Sequence, residues 1–118
     1  MPYTTDLSVE PDLLRITAEG VYDFRELFGF IEFIKAEAER AGRERVFVDC
    51  RKLEGKIPEV DRFEGGQHIA KVFGPILKVA LVMPEGEVTK LGELTAVNRG
   101  ARFRATDDEA EALRWLVP

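Results

Sequence analysis

Five consecutive apolar residues, Val79-Ala80-Leu81-Val82-Met83, constrain this chain more than any other segment. Such a run reads as a strand buried on both faces. A strand of that kind needs a layer on each side, and the neighbouring segments can supply helices. Upstream, Pro58 stands where a first helical turn begins and opens a helix from Glu59 to about Phe73, closed by Gly74-Pro75. Downstream, a helix is expected over Glu87 to Asn98, with Gly100 past its end.

The remaining segments extend the same alternation. Tyr3, Thr5, Leu7 and Val9 interleave with Thr4, Asp6, Ser8 and Glu10; after a Pro11-Asp12 turn, Leu14, Ile16 and Ala18 repeat the pattern. Together these form an antiparallel hairpin. Asp23 is a suitable N-cap for a helix from Phe24 to about Ala41, which Gly42 stops. Val46-Phe47-Val48, ending in Asp49, makes a third strand, and Arg102 to Ala105 a last one. Thr106 and Glu109 have capping-box spacing before a final helix carrying Ala110, Leu113, Leu116 and Val117. The order is ββαβαβαβα, which implies a small α/β fold, with a mainly parallel sheet whose first strand is antiparallel. One domain over residues 1–118 is expected, since a chain this long holds a single core.

Composition removes several functions. A net charge of −5 argues against nucleic acid and against anionic lipid. Cys50 is the only cysteine, which excludes an intramolecular disulfide and a Cys-based zinc site and suits a reducing compartment. Met1 to Glu10 carries acids and no apolar signal-peptide core, and the longest apolar runs are too short for a membrane span. A cytoplasmic location without membrane insertion is the expectation.

The element order resembles the STAS-like (SpoIIAA-like) group, domains related to the anti-sigma-factor antagonists and to the cytoplasmic tails of sulfate transporters. Three segments carry the likeness: the strand Val46-Phe47-Val48-Asp49, the loop from Cys50 to Asp61, and the tail from Asn98-Arg99-Gly100 through Phe103 to Ala112-Leu113-Arg114-Trp115-Leu116. The tail is most similar to the bacterial subgroup described as STAS/CRAL-TRIO-like. The resemblance implies a regulatory module that binds a protein partner or a second copy of itself. Its CRAL-TRIO side implies the alternative, a small apolar or lipid ligand. One feature departs from the group. Antagonists are switched by phosphorylation of a Ser or Thr before the second helix, and here Lys56-Ile57-Pro58-Glu59-Val60-Asp61 holds no hydroxyl; no Ser or Thr occurs between Thr17 and Thr89.

No catalytic constellation emerges, and no cofactor or metal is implied. Ser8 is the only serine, and Cys50 with the lone His68 is more simply a small apolar residue at a strand end. Asp61, Glu64 and His68 share one helix face with Lys71, opposite Phe63, Gly66, Ala70 and Phe73. That stripe offers two carboxylates and an imidazole, but its simplest reading is a solvated face with a Glu64–His68 pair. Gly65-Gly66 costs helix propensity, which close approach to the sheet or to a ligand would offset. Leu27, Ile31, Ile34, Phe24, Phe28 and Phe30 fill one stripe of the first helix, with Phe30 at its edge and Phe33 outside it. That helix is either plain core or an apolar patch for a partner or ligand. Arg102 and Arg104 share a strand face near Arg99, either to hold an anion or a carboxylate on a partner, or, more simply, to protect an exposed edge. The candidate partner or ligand surface is therefore Phe30 and Phe33 on the first helix, or the loop marked by Asp49, Pro58 and Asp61.

Overall fold

The computed structural model describes residues 3–118. Its strands are β1 (Tyr3–Val9), β2 (Leu14–Val21), β3 (Arg45–Glu54), β4 (Lys78–Val82) and β5 (Arg102–Thr106). They lie side by side in that order, β1 antiparallel to β2 and all later neighbours parallel. The helices are α1 (Phe24–Ala41), α2 (Glu59–Phe73), α3 (Leu91–Val97) and α4 (Glu109–Leu116).

Burial explains the layering. On β2, Leu14, Ile16 and Ala18 lie in one core cluster with Ile31, Ile34 and Ala38 of α1 and Ile69 and Phe73 of α2. Among the described residues, the helix that covers the other face is α4, whose Ala112 and Leu116 pack with Phe47, Ala80 and Val82. Val79 and Ala80 thus enter different clusters, as a strand apolar throughout requires. β1 and β2 lie beyond the reach of α4, so Thr4, Asp6 and Ser8 face water there.

Ends of elements follow local chemistry. The Asp23 side chain accepts from the Arg25 amide at 2.9 Å, and Gly42, at φ 66°, turns its N–H back onto the Ala38 and Glu39 carbonyls. Three boundaries differ from the sequence expectation. β3 continues to Glu54, because its polar end pairs with β2 (Lys52 opposite Glu19, Glu54 opposite Val21) after a register shift. α3 begins at Leu91 instead of Glu87: the preceding residues bridge to α2, Glu87 accepting from Arg62 and Thr89 donating to Glu59. α4 is capped by Asp108, which accepts from the Ala110 and Glu111 amides, while Thr106 Oγ1 donates to Glu111.

Gly65-Gly66 serves helix–helix packing. A Cβ on Gly66 would lie 2.6 Å from the Gly92 carbonyl oxygen and 2.8 Å from Thr95 Cβ, so the close approach is to α3 and not to the sheet. β5 is a sheet edge, and α3 closes it. The Ala105 amide donates to Glu93 at 2.7 Å, the Ala105 carbonyl accepts from Lys90 Nζ at 2.6 Å, and Lys90 and Glu93 pair with each other. These two side chains occupy the places a further strand would take.

Candidate functional site

β2 and β3 hand the chain to α1 and α2 at the same end of the sheet, so the starts of both helices flank one short loop, residues 55–58. The loop is tied down. Tyr22, just after β2, donates its amide to Glu54 and its hydroxyl to Asp61 Oδ2 at 2.9 Å. Burial and this hydrogen bond push the Tyr22 phenol above its ordinary range. Arg62 donates to the Ile57 and Glu87 carbonyls, fixing the loop from the other side. Around it stand apolar side chains left to water: Val21 at 52% exposure, Phe24 at 44% and Val60 at 63%, with Pro58 exposed among them.

The aromatic residues of α1 divide differently from the helical-wheel expectation. Phe33 is half-buried and packs against the core, its ring 6.4 Å from that of Phe30, which meets Tyr3 edge-on at 5.2 Å. Phe30 supplies the partial cover that a residue outside the ideal stripe still finds. Phe24 is instead the exposed phenylalanine of α1, and Phe28 stacks on His68 at 4.3 Å.

The acidic stripe of α2 is also rearranged. His68 Nε2 lies 2.8 Å from Glu32 Oε2 of α1 and makes no pair with Glu64. Asp61 serves Tyr22, so the carboxylate and the imidazole work as separate ties between elements. The inward face of α2 is Gly65, Gly66, Ile69 and Phe73, whereas Phe63 is exposed beneath the Arg99 guanidinium. Among the described residues no group of three or more His, Cys, Asp or Glu could hold a metal ion.

Asp49 lies apart from Asp61, in line with Phe47 on the α4 face of the sheet. Arg51 bridges it to Glu109 at 2.7 and 2.6 Å, and the Arg51 hydrogen bond holds the Asp49 carboxyl below the usual range. Cys50 points the other way, fully buried, and burial pushes its thiol up to about 12, which removes it as a nucleophile at neutral pH. The structure therefore ties Asp61 to Tyr22, with Val21, Phe24, Pro58 and Val60 exposed beside them in the chain; Phe30 lines the cavity beneath α1 with Val21 and Tyr22, Phe33 stacks on Phe30, and Asp49 lies on the other face of the sheet. Sequence reading missed Val21, Tyr22 and Val60. Val60, inside the predicted loop, was the available signal, but the hydrogen bond from Tyr22 to Asp61 spans 39 positions.

Beneath α1, between its inner face and the sheet, is an apolar cavity of about 110 Å³. A second, of about 90 Å³, adjoins it toward α3, and Leu27, Ile57, Ile69, Leu81, Met83 and Phe103 line both.

Neither a protein-family model nor a curated protein matches the sequence. The fold does find counterparts. The chain is similar to the crystal structure of an anti-sigma factor antagonist from Mycobacterium paratuberculosis, with a TM-score of 0.65 and 14% identity over 98% of this chain and 95% of that one. An antisigma-factor antagonist STAS domain from Rhodobacter sphaeroides aligns over 98% of this chain and 96% of that one, at 13% identity and a TM-score of 0.37. The chain has the fold of a STAS domain: a five-stranded mixed sheet, antiparallel only at β1, with four helices. Among the described residues, no helix is long and apolar enough to cross a membrane.

Proposed function

We propose that the chain is a non-catalytic regulatory module, one STAS-like domain over residues 1–118, that acts in the cytoplasm by binding a protein. The observation that carries this reading is the group of exposed apolar residues, Val21, Phe24 and Val60, around a loop held by Tyr22, Asp61 and Arg62. A tied loop presents its rim in one conformation, so binding loses little conformational freedom there. Covering a phenylalanine and two valines removes apolar surface from water at about 25 cal/mol per Å². The fold it shares with an anti-sigma factor antagonist supports a partner-binding role. The loop and the first turn of α2 (Gly55 to Asp61) contain no hydroxyl, so control of this contact does not run through a phosphate placed there.

A second reading rests on the cavities beneath α1. They are apolar and adjoining, and an apolar cavity of about 150 Å³ is large enough to hold benzene. A small apolar ligand would fill them and stiffen α1 against the sheet.

Native mass spectrometry of the gently purified protein separates the readings. Protein binding predicts a complex with a second polypeptide or a second copy, lost in Phe24→Ser while the monomer stays folded. A retained small molecule on the monomer, with no such complex, supports the cavity reading and overturns the first.

A further inference from the structure

The register of the parallel strands places three cations side by side. Arg45 of β3 is opposite Lys78 of β4, and Lys78 is opposite Arg102 of β5. Neighbouring strands are about 4.8 Å apart, so the row crosses only about 10 Å. Like charges directly opposite one another destabilise a sheet. Among the described residues, none of the ion pairs includes Arg45, Lys78 or Arg102. Asp12, Glu39 and Glu44 border the same end of the sheet, and none of them pairs with the row either.

The row faces the α4 side, where Lys78 Nζ lies 4.8 Å from the centre of the Trp115 ring and Arg104 Cζ lies 5.5 Å from it. Arg45 and Arg102 are exposed, and Lys78 is half-buried between them. Burial, then Arg102, then Arg45 lower the Lys78 amine below its ordinary range. The same three residues border a cleft of about 760 Å³ together with Lys35 and Arg43. Arg43 donates there only to carbonyl oxygens.

We infer that Arg45, Lys78 and Arg102, with Trp115 beside them, form a docking site for an acidic segment of a protein partner. The site lies at the end of the sheet opposite Phe24, where the last turns of α1 border the cleft, and stands without the contact proposed at Phe24. Unpaired cations in a row, on a chain of net charge −5, leave a local charge that carboxylates complement. Arginine and tryptophan are also the residues that anchor protein interfaces. A nucleic-acid strand fits less well, because phosphate binding draws on an extended basic surface and this row crosses only about 10 Å. The main chain of β5 is closed at Ala105 by Lys90 and Glu93, so side chains make the contact and the segment adds no strand there.

Trp115 is the only tryptophan, so its fluorescence reports the site directly. The full chain is titrated with an eight-residue peptide of glutamate and serine, with inorganic pyrophosphate, and with a short thymidine oligonucleotide. The site predicts saturation by the acidic peptide below about 1 mM, weakened by salt. Arg45→Gln with Arg102→Gln should loosen the peptide about tenfold, and the free double variant should melt no lower than the parent. Absence of saturation, equal binding to the double variant, or tighter binding of pyrophosphate or the oligonucleotide would each overturn the assignment. A double variant that melts well below the parent would show that the row is already balanced within the chain, with the same consequence.

Discussion

Replacing Gly66 with alanine sets a methyl group 2.6 Å from the Gly92 carbonyl oxygen and 2.8 Å from Thr95 Cβ. One obstacle is backbone, so relief requires α2 and α3 to separate, and α3 is the helix whose Lys90 and Glu93 close the edge of β5. The same substitution gains about 1 kcal/mol of helix propensity. Overpacking of this kind costs about 1–3 kcal/mol and occasionally more, and a contact below 3 Å to main chain lies at the severe end. A net loss of about 2 kcal/mol is expected, a fall of roughly 8 °C at about 4 °C per kcal/mol for a domain of this size. Gly29 provides the control: it is exposed on α1, and nothing lies within 4 Å of the position of its Cβ. Gly29→Ala should therefore gain about 1 kcal/mol. Thermal and urea unfolding of parent, Gly66→Ala and Gly29→Ala would measure both. If Gly66→Ala is as stable as Gly29→Ala, the helices are not in contact at this point and the reason given for the glycine pair fails.

Further outcomes follow from the other sites. Cys50 should resist iodoacetamide at pH 8 in the folded protein and react once urea unfolds it; rapid labelling of the native form would contradict its burial. Glu93→Ala should leave the Ala105 amide without its acceptor, at a cost of about 1–3 kcal/mol, with faster hydrogen exchange at that amide; unchanged exchange would show that the edge is closed otherwise. Arg51 holds the Asp49 carboxyl below its usual range, so its stabilisation is complete above the unfolded pKa of about 3.9 and is lost as pH falls through the lower folded value. Asp49→Asn should accordingly flatten the acid limb of the stability curve, and an unaltered limb would deny the coupling.

The parts of the fold that could be read from the sequence were those where one local signal sufficed. The apolar run of β4, the caps at Asp23 and Gly42, and the alternation of Leu14, Ile16 and Ala18 each express burial or backbone chemistry within a few residues. What escaped depends on partners distant in the chain. The polar end of β3 is a strand only because β2 pairs with it, and α3 starts late because the residues before it bridge to α2. Phe33 lies outside the ideal stripe of α1 but is half-buried, its ring stacked on that of Phe30; a helical wheel holds no information about such side-chain contacts. Similarly, Asp61, Glu64 and His68 share a spacing, yet Tyr22 and Glu32 divide them between two different contacts. The row of Arg45, Lys78 and Arg102 exists only through strand register, which a single sequence does not specify.

Whether the rim of the tied loop is the working surface can be measured by placing a photoreactive phenylalanine analogue at one position at a time in the protein's native cells. Positions 24 and 60 belong to the exposed apolar group, and Ala36, exposed elsewhere on α1, serves as the reference. A discrete protein adduct of the same mass is expected from positions 24 and 60 and none from position 36. Adducts from position 36 alone, or equal labelling from all three, would contradict it.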